Sequence, residues 1–225
     1  MILSDLFESM TDESYHFTGV ANGFNILSSE RFNLSASHGT ESEKNVQAKK
    51  TRYFMSVSRS KVGDYTMANA WNQGVVFNLN AEWFNARYIT KPVDYWEGSL
   101  SRMKRHSESE DRVMSNKPII DFSGQTKKVI RSCHILVTKD AYKDSRIVTN
   151  AVKLYILSKK KGIPVFVYDD LMKFATQKNP ISVEPLLTSY NNIEKDPPYY
   201  RIPLNIKRRI KPWAELVNLD DYDKL

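Results

Sequence analysis

The sequence predicts a mixed α/β domain of the α+β kind, with a split, mostly antiparallel sheet, flanking helices and a basic C-terminal arm. Three observations predict it. The apolar pattern switches repeatedly between a period of 2 and a period of 3.6, strand-like segments outnumber the helical ones between them, and the composition changes at residue 191. Strict alternation of strand and helix would instead predict a doubly wound parallel sheet.

Residues 15–18 read as a short strand, and 20–28 as a helix with Val20, Phe24 and Leu27 on one face. Phe32 and Leu34 mark a second short strand, whereas 35–50 hold almost no large apolar residue and read as a loop. Residues 52–58 alternate through Tyr53, Phe54, Met55 and Val57 into the polar turn Ser58-Arg59-Ser60-Lys61. A strand over 75–79, bounded by Gly74 and Asn80, leads into a helix over 81–87. Residues 99–113 are polar and charged and read as helical, and 129–137 form the clearest strand in the chain. A helix over 151–160 stops at Gly162, followed by a strand over 163–168 and a short helix over 169–175. Beyond Asn191, Pro197-Pro198-Tyr199-Tyr200 interrupts regular structure and a basic strip precedes Trp213. The expected organisation is therefore a domain over 1–190 and an extended arm over 191–225.

With 225 residues and 41 % hydrophobic content the chain can bury a sizeable core. No apolar run approaches the roughly 20 residues of a membrane helix, and Met1-Ile2-Leu3-Ser4-Asp5 lacks the basic flank and apolar stretch of a signal peptide. No membrane association is expected, and the expected location is the cytoplasm. The single cysteine, Cys133, leaves no internal disulfide framework and no cysteine-based zinc site, and His16, His38, His106 and His134 are not spaced as a metal pair, so no metal is expected. The net charge of +7 and isoelectric point near 9.3 favour an acidic partner, because clustered Lys and Arg displace counterions from phosphates. A glycine-rich phosphate loop, a Gly-x-Gly-x-x-Gly turn and a Gly-x-Ser-x-Gly elbow are all missing, which removes support from kinase, P-loop and ordinary hydrolase readings.

A constellation in fixed order remains: Tyr15-His16-Phe17-Thr18, then Phe54-Met55-Ser56-Val57-Ser58-Arg59-Ser60, then Glu108-Ser109-Glu110-Asp111-Arg112-Val113. The order resembles that of the DarT-type DNA ADP-ribosyltransferases, in which a His-x-Thr strand opens the domain, a Phe-x-Ser-x-x-Arg-Ser strand end follows, and a glutamate beside a hydrophobic strand completes the site. The resemblance extends over about the first 140 residues. It implies an ADP-ribosyltransferase-like sheet, NAD as co-substrate, His16 and Thr18 on the nicotinamide side of NAD, and Arg59 at the cofactor phosphates or the acceptor base. Glu110 becomes the catalytic carboxylate, with Glu108 competing for the role. Family members often carry prolines around the arginine, whereas Val57 and Lys61 stand near it here, so the target base does not transfer with the resemblance.

Elementary chemistry asks for the same residue types. Breaking the bond between nicotinamide and ribose develops positive charge on the sugar, which a fixed carboxylate stabilises. A guanidinium grips a pyrophosphate with two parallel hydrogen bonds, which a lysine does less well. Each residue alone also has an ordinary explanation: His16 as a structural histidine, Arg59 as a solvated turn residue, and 108–112 as a charged helix face. The resemblance carried by the order of the three segments implies transferase chemistry. The acceptor expected is a base in nucleic acid, DNA more than RNA, single-stranded or flipped out, since a paired base cannot reach the sugar. Tyr95 and Trp96 are the candidate stacking platform, and Lys207, Arg208, Arg209 and Lys211 the candidate phosphate contacts. Two alternatives stay open: a DNA glycosylase, which passes through a similar sugar cation, and a basic nucleic-acid-binding or virion structural protein without activity. His38-Gly39-Thr40 reads as loop sequence, and the Pro-Pro-x-Tyr pattern at 197–200 as a rigid turn.

Overall fold

The computed structural model of the chain describes residues 13–36, 52–58, 73–92, 110–138, 141–176 and 179–195. In chain order these form β1 (Glu13–Thr18), α1 (Val20–Ser29), β2 (Arg31–Asn33), β3 (Ser35–Ala36), β4 (Tyr53–Ser58), β5 (Gln73–Asn80), α2 (Ala81–Asn85), β6 (Ile89–Pro92), β7 (Glu110–Ser115), β8 (Ile119–Asp121), α3 (Thr126–Val129), β9 (Ile130–Val137), a 3-10 turn (Ala141–Lys143), α4 (Ser145–Lys160), β10 (Val165–Tyr168), α5 (Leu171–Ala175) and α6 (Glu184–Lys195). The chain divides into two compact units, Met1–Tyr190 and Asn191–Leu225; of the second, the described residues are the last five of α6. No helix among the described residues is long and apolar enough to cross a membrane.

The main sheet runs β10-β9-β5-β1-β4-β7-β6, with β3 also paired to β4. All of its pairings are antiparallel except β9 with β10, which α4 connects as a crossover. A separate ribbon pairs β2 with β8. The fold is therefore mixed α/β on a mostly antiparallel sheet.

Both faces of the sheet are covered. On one, α1 packs over β5 closely enough that a β-carbon on Gly23 would lie 3.2 Å from the Val75 side chain. Beside it α4 buries Val148, Ala151, Val152, Leu154, Ile156 and Leu157. Full burial of an aliphatic side chain of this kind contributes about 1.5–3 kcal/mol, so tertiary packing rather than helix propensity holds α4 in place. On the other face Tyr15, Val76, Leu136, Tyr168 and Phe174 form a cluster joined by Phe17.

The ends of the two long helices are built differently. Asp144 caps α4 by accepting a hydrogen bond from the Arg146 amide at 2.9 Å. At its other end Gly162, with φ of +65°, lets Ile163 and Gly162 donate to the carbonyls of Ser158 and Lys159, the paired closure of a Schellman turn. Helix α1 ends instead on Glu30, a non-glycine residue in the left-handed region at φ of +54°. Its carboxylate accepts from Lys161 Nζ at 2.5 Å, Thr126 Oγ1 at 2.5 Å and the Gly124 amide at 2.6 Å. These bonds tie the ends of α1 and α4 to the turn before α3, and they hold the Glu30 carboxyl at a pKa of about 2, the Lys161 ammonium being the largest cause.

Several expectations change. Residues 110–113, read as helical, belong to strand β7. Their charges suggested a solvated face, yet Asp111 and Arg112 are 2 % and 8 % exposed, because β7 is lined on both sides by β4 and β6. Helix α4 starts at 145 rather than 151, its first turn being amphipathic but weakly apolar. Val129 closes α3 instead of opening the strand. Residues 35 and 36, read as loop, pair with Phe54 and Tyr53. The first residues expected in the extended arm, 191–195, are helical, since α6 runs on to Lys195.

Candidate functional site

Strand β4 has β7 along one edge from Tyr53 to Ser58. Its other edge is shared. Among the described residues β1 meets it at one position, Tyr15 opposite Ser58, and β3 takes over at Phe54 and Tyr53. Between them β1 and β4 part, and His16 sits in the notch. Its Nδ1 lies 3.1 Å from the Ser56 carbonyl oxygen, a side chain replacing a lost ladder hydrogen bond.

That contact fixes the chemistry of the ring. A carbonyl oxygen only accepts, so Nδ1 carries the proton and donates. Desolvation lowers the pKa of His16 from its ordinary 6.5, outweighing the opposing effect of the Ser56 bond, so the imidazole is neutral at pH 7. Nε2 is left as a hydrogen-bond acceptor. Phe32 holds the ring edge-on, with centroids 5.5 Å apart at 83°. Phe32 in turn packs on Phe84 and Phe122, so the β2-β8 ribbon and α2 buttress the notch. Thr18, two residues along the same strand and therefore on the same side of the sheet, is 7 % exposed.

The register then joins segments far apart in the chain. Tyr15 on β1 lies opposite Ser58 on β4, and Ser58 lies opposite Glu110, the first residue of β7. Two strand spacings of about 4.8 Å separate Tyr15 from Glu110. This row sits at the end of the sheet where β1 and β7 begin and β4 finishes. Arg59 is the next residue after that strand end but, like Glu108, lies outside the described residues, as does the Glu110 side chain. Tyr95, Trp96, Lys207, Arg208, Arg209, Lys211, His38-Gly39-Thr40 and the 197–200 turn also lie outside them.

Sequence reasoning passed over Asp111 and Arg112. The Arg112 guanidinium lies over the Phe54 ring at 4.3 Å from its centroid, so the strand that starts at Glu110 carries a cation fixed by an aromatic face two residues on. Only pairing with the distant β4 puts these residues in a strand, so no local signal revealed them. Cys133 is fully buried, and its thiol is pushed up to about 12 by desolvation. His134 packs between Phe166 and Phe174, with ring centroids at 5.3 and 4.7 Å. Trp83 and Phe84 are core residues, and Arg87 lies over the Trp83 ring.

Among the described residues no three His, Cys, Asp or Glu side chains group as a metal site. No family model, no curated protein and no solved structure matches the chain.

Proposed function

We propose that the protein is an NAD-dependent ADP-ribosyltransferase that modifies a base in nucleic acid, DNA in preference to RNA, presented single-stranded or flipped out. The observation that supports this best is the row Tyr15, Ser58, Glu110. The described parts of the three segments that carry the family resemblance lie on neighbouring strands at one end of the sheet, with Tyr15 and Ser58 on the face opposite His16 and Thr18, so the support is the convergence of the backbone segments there.

In this reading His16, neutral and with Nδ1 committed to Ser56, offers Nε2 to a ribose hydroxyl of NAD. Thr18 binds alongside it. Arg59, one residue past the end of β4, grips the phosphates or the acceptor base. The carboxylate of Glu110, or of Glu108, stabilises the sugar cation that forms as the bond between ribose and nicotinamide breaks and its electron pair leaves with nicotinamide. The acceptor nitrogen then bonds to the sugar carbon, and its proton passes to the same carboxylate. At His16 and Thr18, desolvation strengthens such hydrogen bonds by excluding water. Tyr95, Trp96 and the basic residues Lys207, Arg208, Arg209 and Lys211 are the acceptor contacts in the same proposal.

Incubation of the purified chain with NAD labelled on the adenylate, together with single-stranded DNA, duplex DNA, RNA or cell lysate in turn, tests it. Label transferred to DNA supports the proposal. Base release without NAD replaces the transferase with a glycosylase, and nucleic-acid binding with neither reaction leaves a binding protein.

A further inference from the structure

A basic surface is built by three elements at the same end of the sheet as the notch. Lys127 and Lys128 are exposed on α3, Arg131 is exposed on the second residue of β9, and Lys159 and Lys160 are exposed in the last turn of α4. They converge. A β-carbon on Gly162, in the turn that ends α4, would lie 2.5 Å from the Lys127 Cε and Nζ, so Lys127 reaches across to the α4 lysines. Asn80, the last residue of β5, donates to the Lys128 carbonyl at 2.9 Å and accepts from Arg131 Nη2 at 3.5 Å, which anchors the α3 side of the patch to the sheet. Glu30, at the same junction, has its carboxylate engaged by Lys161, Thr126 and Gly124. Among the described residues Asp121 is engaged by Arg31 and Ser123, and the exposed Glu82 stands on α2, which packs near α3.

Lysines in the last turn of a helix ordinarily complement the helix dipole, each contributing about 0.3–1 kcal/mol. That accounts for Lys159 and Lys160. The same holds for Lys127 and Lys128 in the last turn of α3, and for the Lys127 ammonium beside the turn that ends α4. It does not account for Arg131, which is exposed on a strand beside them and adds a further cation to the surface.

Position supplies the second argument. Ile130, the first residue of β9, pairs with Leu79, and Leu79 pairs with Ser14 on β1. From β9 the ends of β4 and β7 are therefore three and four strands away, about 14 to 19 Å at 4.8 Å per strand. One strand of a duplex presents a phosphate per about 3.4 Å of helix axis and an extended single strand fewer, so at most about six phosphates span that distance.

We propose that Lys127, Lys128, Arg131, Lys159 and Lys160 form a phosphate-backbone docking surface for nucleic acid, along which a strand is led to the end of the sheet where β4 finishes and β7 begins. The choice of nucleic acid among polyanions rests on the proposed function. The surface itself stands on the geometry.

The test uses the full chain without NAD and a fluorescein-labelled 20-nucleotide single-stranded DNA, its affinity followed by anisotropy between 50 and 300 mM NaCl. K127Q/K128Q is compared with K117Q/K143Q, an equal loss of charge at the opposite end of the sheet, where β7 and β9 finish. Two lost contacts to a single strand should flatten the slope of log affinity against log salt by about 1.4 and weaken binding about tenfold at 0.15 M. K127R/K128R should bind as the wild type does, which separates charge from folding. Wild-type affinity in K127Q/K128Q, or equal weakening in both glutamine pairs, overturns the surface. So does a wild-type chain that ignores the oligonucleotide and binds phosphatidylglycerol vesicles instead. Label transfer from NAD is read separately: patch-dependent binding without transfer leaves the surface standing and removes the transferase, and transfer with patch-independent binding does the reverse.

Discussion

Replacing Glu30 by Gln isolates one charge at the junction of α1, α3 and α4. The carboxyl is held at about 2 against an ordinary 4.5, and a depression of that size corresponds to about 3 kcal/mol. The side chain is 18 % exposed, and screening at that exposure leaves an expected contribution of about 2 kcal/mol. Gln keeps an acceptor for Thr126 and Gly124 but gives Lys161 a neutral partner, so most of this should disappear. With a urea slope of about 2 kcal/mol/M the unfolding midpoint of Glu30→Gln falls by about 1 M at pH 7. The pH dependence gives the sign. A depressed carboxyl stabilises the fold fully above its unfolded pKa of 4.5 and loses that stabilisation as pH falls toward about 2. The gap between wild type and variant should therefore shrink to less than half by about pH 3. Urea melts followed by tryptophan fluorescence at both pH values measure it. A midpoint within 0.2 M of wild type at pH 7, or a gap of the same size at pH 7 and pH 3, would refute the reasoning.

Three further outcomes are expected. Glu110→Gln should lower nicotinamide release in the presence of DNA by about 100-fold or more, with Glu108→Gln costing less and both melting like the wild type; a reversed ranking moves the role to Glu108, and near-normal turnover in both ends the transferase mechanism. Because His16 is held neutral by burial, its ring protons should titrate in NMR below pH 6.5, and stability should fall as pH drops below 6.5, a dependence that His16→Gln removes; titration at or above 6.5 contradicts desolvation as the dominant influence on the ring. The Cys133 thiol, buried and raised to about 12, should resist a disulfide reagent at pH 8 in the native protein and react at once in denaturant, and rapid native labelling would mean that the strand opens.

The elements legible from sequence are those whose burial follows a local period. Val20, Phe24 and Leu27 announce α1 by their helical spacing, and the run through Ile130, Cys133, Ile135 and Val137 announces β9, because one side of each element must leave water wherever the rest of the chain lies. The order of the His16, Arg59 and Glu110 segments was likewise open to reading. Tertiary structure alone decided the rest. Residues 110–115 are a strand because β4 and β6 satisfy their backbone on both edges, and that pairing buries Asp111 and Arg112 against every local preference of charged side chains. Glu30 ends α1 in a left-handed conformation because three donors from distant segments meet its carboxylate. The notch at His16 exists because β1 and β4 part beyond the Tyr15–Ser58 pair, a register that no side-chain period encodes. A period reports which side of an element is buried, whereas strand partners and side-chain hydrogen bonds are choices among segments that meet only when the chain has folded.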